Sequence, residues 1–479
     1  MEWLALIVAV LCVTAVIATC PVQGVGRFLA PETLAVLVLS FIFGARPVFK
    51  ATMPDAIEAS GRDPWYLYEQ PITSLGWDIA LWVGICALVA FTLGVVVLSF
   101  ARRPGRPLAR DTGPWSAQER VDTWSFGATA CLVTAVGGTV INFGAIAAIA
   151  GPQTVLTMFG GRSAESTVPG LPEAVVIAGM SGSLAAAVLL ISKRHTALLP
   201  AQWAAVVFSV ALSVFQVSLG GNRRFLIPAL LIPIIAFLVR KPQRVTLPWV
   251  VAAGIGAVFL AVVPMVRSAG ARLPGENLFS ASWRYITEEG PLASVLPVFT
   301  SYDTEMIDYI AVIAPRLGGD QPWGWGRGTL LEFLEHPLPS GGLDGSTTTQ
   351  VFSDEVLSRV WGGGCAEAVC PVSSVAGVSY FDGGFLGVAI GCFLFGAVLR
   401  LLSNLWSRAD ELSDSTVVVV VVLSAFALVA ARTNTVHATW WAMYAVGFAL
   451  VPFWVLRSRV QALSIPAAWN SKGGRHVMS

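Results

Sequence analysis

Charge is the scarcest property of this sequence. Only 12% of its 479 residues are charged, whereas 55% are hydrophobic and the mean hydropathy is +0.71. A soluble domain usually carries about 25% charged residues, so the composition indicates an integral membrane protein. The formal net charge is +1 and the basic residues are scattered singly or in pairs, which gives no reason to expect a nucleic-acid partner.

Several motifs that mark common chemistries are also missing. The sequence has no phosphate-binding GxxxxGK[ST] loop, no GxSxG elbow and no HExxH pair, so ATP hydrolysis and serine or zinc hydrolysis have no support. Acidic residues are nearly absent from the apolar runs, which argues against an ion-coupled transporter. Cysteine is also sparse, and only Cys365 and Cys370, in the polar run CAEAVC, would suit a local disulfide in an oxidising compartment.

Long apolar runs dominate what is present. A membrane-spanning helix needs about 20 apolar residues, and on this measure the sequence predicts an all-α polytopic membrane protein with about eleven transmembrane helices. The first run lacks the basic stretch of a signal peptide and is predicted to remain as a helix. The predicted spans lie near residues 2–20, 33–50, 77–100, 124–150, 171–192, 198–219, 225–239, 247–266, 380–402, 416–431 and 438–456.

Basic residues predict which loops face the cytoplasm, because Lys and Arg resist translocation. One topology satisfies all of these markers, with the amino terminus outside and the carboxy terminus in the cytoplasm. It divides the chain into a transmembrane bundle of about eight helices (1–266), a large helical extracytoplasmic loop (267–379), and further helices with a cytoplasmic tail (380–479). The markers are the loop 102–120, Lys193 with Arg194, the RKPQR at 240–244, Arg400 with Arg408, and Arg457 with Arg459.

Two arginine sites break this charge pattern by facing outward. Arg223 and Arg224 precede an apolar run, 225–239, that would extend only about 22 Å as a helix, short of the roughly 30 Å of hydrocarbon. Either these arginines snorkel as interface anchors, or they line an outward cavity where a helix N-terminus and two guanidinium groups bind an anion such as phosphate. Arg432, in ARTNTVHATWW, is a second outward arginine, and two such sites favour a shared cavity.

The large loop supplies a candidate general base. Its apolar spacing, for example Met306, Ile307, Ile310 and Ile313, predicts short helices that lie on the membrane surface or cap the bundle. His336 follows one such segment, where it either presents a base to a cavity or is simply solvated. The loop carboxylates are too numerous for spacing to choose among them.

The order of these features resembles bacterial oligosaccharide repeat-unit polymerases of the Wzy, or O-antigen polymerase, type. The resemblance covers roughly residues 210–450. O-antigen ligases have a similar membrane architecture and remain an alternative, as does a transporter or flippase for lipid-linked glycans. The sequences that carry the resemblance are GGNRR, the long outer loop with GWGRGTLLEFLEHPLPS, and the return to the membrane, VSSVAGVSYFDGGFLGVAIGCFLFGAVL.

The resemblance implies a GT-C-like glycosyltransferase of the bacterial cytoplasmic membrane. Such an enzyme would polymerise polyprenyl-pyrophosphate-linked oligosaccharides on the outer face, without a cofactor or metal ion, and a chain-length regulator is a further candidate partner. His336 would be the base. A leaving pyrophosphate would need cationic hydrogen-bond donors, and the sugars would need aromatic faces to pack against. The donors would be Arg223, Arg224, Arg432 and Arg284, and the aromatic faces Trp283, Tyr302, Trp323 and Trp325.

Overall fold

The computed structural model describes residues 1–53, 72–100, 127–159, 173–219, 223–246, 278–290, 306–319, 322–335, 373–433 and 435–464. Within these ranges the regular elements are helices, which confirms the all-α prediction. Shorter turns of helix occupy Gly26–Leu29, Pro152–Phe159, Glu173–Ala178 and Ala409–Glu411. The main helices are α1 (Glu2–Thr19), α2 (Pro31–Thr52), α3 (Ser74–Phe100), α4 (Ala128–Ala150), α5 (Ser181–Ser192), α6 (Pro200–Leu219), α7 (Arg223–Arg240), α8 (Leu278–Glu289), α9 (Met306–Ile313), α10 (Glu332–Glu335), α11 (Ser374–Trp406), α12 (Asp414–Arg432) and α13 (Thr435–Ser464).

Seven helices in the described ranges are long and apolar enough to cross a membrane, namely α1, α2, α3, α4, α6, α11 and α12. The structure also changes two predicted spans. The stretch 171–192 is two helices separated at Gly179 and Met180, and α7 has 18 residues because it includes Arg223, Arg224 and Arg240. At about 1.5 Å per residue α7 extends about 27 Å, longer than its apolar run but still short of the roughly 30 Å of hydrocarbon. The predicted span 247–266 lies outside the described residues.

Helices α3 and α11 form the closest pair in the bundle. They run parallel, because Cys86 lies beside Phe385 at one end while Gly94 lies beside Phe393 further along. A Cβ added at Gly94 would lie 2.1 Å from the Phe393 carbonyl oxygen, and one at Gly396 would lie 2.3 Å from that of Phe91. Only glycine permits this approach, and close backbone packing of this kind stabilises helix pairs in membranes.

Three of the predicted basic markers meet at one end of the bundle, here called the basic end. Arg194 donates hydrogen bonds to the carbonyl oxygens of Ala409 and Leu412, at 2.8 and 2.7 Å, and Arg240 donates to that of Thr196. Segments 193–196, 240–244 and 408–412 therefore share a face. The assignment of this face to the cytoplasm stays a prediction, and the loop 102–120 lies outside the described residues.

Arg400 differs from the other markers because it is not in a loop. It lies inside α11, is 2% exposed, and pairs with Glu32 of α2 at 3.3 Å. Ser403 also donates to Glu32, and Arg400 donates to the Thr19 carbonyl oxygen at 2.5 Å. The prediction that Arg400 marks a cytoplasmic loop is therefore wrong, and its charge is compensated by a buried carboxylate that hydropathy alone did not pair with it.

Helix α9, from the predicted outer loop, is buried in the opposite end of the bundle, here called the far end. All 8 of its residues are buried, and a Cβ at Gly76 of α3 would lie 2.1 Å from the Ala311 carbonyl oxygen. Asp308 is fully buried. Its carboxylate accepts hydrogen bonds from Arg46 at 2.5 and 3.0 Å and from Lys50 at 2.8 Å, and both donors belong to α2. Two cations thus compensate one buried carboxylate, which ties the loop to the bundle.

Candidate functional site

Arg224 is held against an aromatic side chain at the far end. Its guanidinium carbon lies 5.8 Å from the centre of the Trp441 ring, within the range of a cation–π contact. Trp441 is buried, and the ring of Phe225 packs against it with centroids 5.0 Å apart. The start of α7 and the first turns of α13 therefore fix the position of one predicted phosphate-binding arginine.

The same tryptophan also lies beside a histidine–glutamate pair. His437 of α13 has its ring centroid 6.1 Å from that of Trp441, and its Nε2 is 2.6 Å from Glu332 Oε1. Glu332 is 2% exposed and His437 is partly exposed. A carboxyl group bonded to one ring nitrogen fixes the orientation of an imidazole, so Glu332 holds the His437 ring in place and leaves its Nδ1 as the other ring nitrogen.

Helix α10, which begins at Glu332, and the loop before it are held in place by α13 and α11. The Trp440 Nε1–H donates to the Phe333 carbonyl oxygen at 3.0 Å, and the two rings lie 5.3 Å apart. On the other side, Asp382 of α11 accepts from the Gly328 N–H at 2.8 Å and from the Thr329 hydroxyl at 2.7 Å. The loop is thus fixed between α11 and α13.

A kink in α11 meets this loop. Gly383 and Gly384 depart from helical geometry, and Gly384 has φ of +59°, a conformation that glycine adopts without steric cost. Backbone N–H groups of Gly324 and Trp325 donate to the carbonyl oxygens of Phe381 and Asp382, at 2.9 and 3.1 Å. The kink therefore turns carbonyl groups of α11 toward the loop.

The remaining predicted cationic residues and the predicted base are placed as follows. Arg432 is the last residue of α12, is partly buried, and precedes the start of α13 at Thr435 by three positions in the sequence. Arg223 is the first residue of α7, but its side chain is outside the described residues, as is His336 entirely. Arg284 pairs with Glu288 at 3.0 Å within α8, a different helix from that of Arg224.

The predicted sugar-binding aromatic residues divide into two kinds. Trp323 is partly buried, packs edge-on against Tyr380 at 5.7 Å and lies over Gly384, so it has a packing role. Trp283 and Trp325 are exposed, at 62% and 82%, and could meet a ligand. Tyr302 lies outside the described residues.

Sequence reasoning missed Glu332 and Asp382 as site residues and did not give His437 a role. His437 was visible beside Arg432, but its partner is 105 residues away in the sequence. Burial separates Glu332 from the exposed Glu288, and the contact with His437 separates it from the buried Asp308 and Glu335; both are tertiary properties. Among the described residues no group of three or more His, Cys, Asp or Glu side chains could hold a metal ion.

No protein-family model, curated protein or solved structure matches this chain. The fold alone therefore defines its class, a helical polytopic membrane protein. The contacts join Arg224, Trp441, His437 and Glu332 in one far-end cluster, which is the candidate site.

Proposed function

We propose that the protein is a membrane glycosyltransferase that polymerises polyprenyl-pyrophosphate-linked oligosaccharide units on the outer face of a bacterial cytoplasmic membrane. The observation that supports this proposal is the meeting of an arginine and a histidine–glutamate pair on one buried tryptophan at the far end. Arg224 lies on Trp441, and Trp441 lies beside the His437–Glu332 pair. A transferase that expels pyrophosphate and deprotonates a hydroxyl needs both groups within one site.

The reaction assigns a role to each group. The acceptor oxygen bonds to the anomeric carbon while the bond from that carbon to the pyrophosphate oxygen breaks, and the electron pair leaves with the pyrophosphate. Arg224 and Arg432, with Arg223, stabilise the charge that develops on the leaving group. The acceptor proton passes to a base, for which His336 is the candidate from the sequence and His437 the candidate within the described cluster. Trp325 offers an exposed face for a sugar ring.

Reconstitution tests the function directly. The full chain, placed in vesicles with polyprenyl-pyrophosphate-linked repeat units, should yield a ladder of repeat lengths on a gel. A single transfer to a different acceptor would instead indicate a ligase. Movement of the lipid-linked unit across the bilayer without bond formation would rule out both transferases.

Conservative substitutions test the site. Arg224→Lys and Arg432→Lys keep the charge but lose the bidentate geometry, so each should lower the turnover number by about 100-fold, the loss typical of removing one donor to a developing charge. Arg408→Lys is the matched control, because Arg408 is exposed at the basic end and pairs with Glu411 at 3.2 Å. Full turnover in both site variants would remove the pyrophosphate argument.

The two base candidates can be separated in the same assay. His437→Gln and Glu332→Gln remove the acid–base pair, and His336→Gln removes the candidate from the sequence. If His437 is the base, Glu332→Asp should recover part of the activity that Glu332→Gln loses, with the larger change in kcat rather than in KM. Loss of turnover only in His336→Gln would assign the base to the loop.

A further inference from the structure

In the loop segment 323–335 large apolar side chains are exposed and acidic side chains are buried. Its exposed residues include Trp325, Leu330 and Leu334, at 82%, 67% and 56%, whereas Glu332 and Glu335 are 2% and 3% exposed. Leu330 and Leu334 are four positions apart and so share one helical face, while the two glutamates share the other. A water-facing helix buries its apolar side and exposes its charges. The arrangement here suits a segment with hydrocarbon outside and a polar interior.

The segment is bonded to a candidate membrane-spanning helix where that helix begins to expose an apolar stripe. Helix α11 exposes an apolar stripe directly after its kink, consisting of Phe385, Leu386, Ile390, Leu394 and Val398. The segment is bonded to α11 immediately before that kink, through Gly324 to Phe381 and Trp325 to Asp382. The segment that carries Leu330 and Leu334 is therefore attached to α11 at the point where the exposed apolar stripe of this candidate membrane span begins.

Trp325 adds a second observation. It adopts φ of +50°, in the left-handed region that non-glycine residues rarely occupy, and its N–H donates to the Asp382 carbonyl oxygen at 3.1 Å. Strained residues of this kind persist where the surrounding structure holds them for a purpose. Tryptophan prefers the boundary between hydrocarbon and head groups. Arg327, also exposed, can extend its guanidinium to the same boundary.

We propose that segment 323–335 is an interfacial element embedded in the leaflet at the far end, with the face formed by Trp325, Leu330 and Leu334 in contact with lipid acyl chains. The two glutamates then point inward, and the His437–Glu332 pair lies at the depth of the lipid head groups rather than above the membrane. The proposal does not depend on the glycosyltransferase assignment, because it rests on polarity and continuity alone.

Spin-label accessibility tests this placement. Leu330→Cys and Leu334→Cys, made in the full chain and reconstituted in phosphatidylethanolamine–phosphatidylglycerol vesicles, receive a nitroxide label, and the wild-type chain treated alike supplies the background. Relaxation by oxygen, which concentrates in hydrocarbon, is compared with relaxation by an aqueous nickel chelate. The matched controls are Leu386→Cys on the α11 stripe and Glu411→Cys at the exposed basic end.

The expected result is an oxygen-to-nickel ratio at both leucine positions close to that of Leu386→Cys and several-fold above that of Glu411→Cys. A ratio like that of Glu411→Cys would overturn the proposal, because the face would then be in water. Low access to both reagents would also overturn it, since a protein surface would then cover the face.

A second measurement uses the native side chain. The difference in tryptophan emission between the wild type and Trp325→Phe isolates Trp325. It should be quenched by lipids brominated near the head group and little affected by aqueous iodide. The reverse pattern would place Trp325 in water and contradict the proposal, even if the cysteine variants failed to fold.

Discussion

Replacing Asp308 with Asn removes the carboxylate that Arg46 and Lys50 share. Arg46 is 3% exposed, so its guanidinium would lose the charge of a buried anionic partner, whereas Lys50 is 24% exposed and can still reach water. Breaking a buried ion pair in this way typically costs about 3–5 kcal/mol. We therefore expect the free energy of unfolding to fall by about this amount, nearly all of it through Arg46.

Chemical unfolding in mixed micelles, followed by tryptophan fluorescence, measures this loss. Glu288→Gln is the matched control, because it breaks an exposed pair with Arg284 on one helix, a type of contact that contributes about 0.3–0.5 kcal/mol. The double variant Asp308→Leu with Arg46→Met should recover most of the loss, since it leaves neither charge buried. If Asp308→Asn costs no more than Glu288→Gln, the buried-pair reasoning is refuted.

The same carboxylate predicts a dependence on pH. Burial opposes ionisation of Asp308, but the charges of Arg46 and Lys50 outweigh it and lower the pKa of this carboxyl below its ordinary value. A group with a depressed pKa in the folded state stabilises above its unfolded-state pKa and loses that contribution as pH falls through the folded-state pKa. Acid should therefore destabilise the wild type more than Asp308→Asn, as unfolding curves at decreasing pH would report. If the free energy of unfolding fell equally with decreasing pH in the two proteins, this pH dependence could not be assigned to Asp308.

Two further predictions concern packing and the site loop. Gly94→Ala should lower the free energy of unfolding by about 1–3 kcal/mol because its Cβ would meet the Phe393 carbonyl oxygen, while Gly447→Ala, with nothing within 4 Å, should be neutral or slightly stabilising in the same unfolding assay. Asp382→Asn weakens two charge-assisted hydrogen bonds and should speed proteolysis of the loop more than Thr329→Val, which removes one. Equal cleavage rates in the wild type and Asp382→Asn would show that this carboxylate does not hold the loop.

The helical, membrane-spanning character of the protein could be predicted from sequence because hydropathy is a local property. Runs such as 77–100 and 416–431 correspond to α3 and α12 almost residue for residue. Helix ends were predicted less well. The apolar run at 225–239 was taken to limit α7, but backbone hydrogen bonding continues through Arg223 and Arg240, since charged residues are good helix formers where their side chains can leave the hydrocarbon.

Arg223, Arg224 and Arg432 could be noticed from the sequence because their charge opposes the predicted topology. Which of the loop carboxylates belong to the candidate site could not be predicted from the sequence. Glu332, Glu335 and Glu288 look alike in the sequence, yet two are buried and the third is exposed on α8. Their environments are set by segments far away along the chain.

By itself the sequence determined that the protein is an all-α membrane protein. The free-energy cost of exposing apolar runs to water depends on the residues of each run and not on their tertiary contacts. Only the tertiary structure decided which charges meet. Arg46 with Asp308, Arg400 with Glu32 and His437 with Glu332 are pairs whose members are 262, 368 and 105 residues apart. Electrostatic compensation acts over a few ångströms of space, so only the packing of helices brings such partners together.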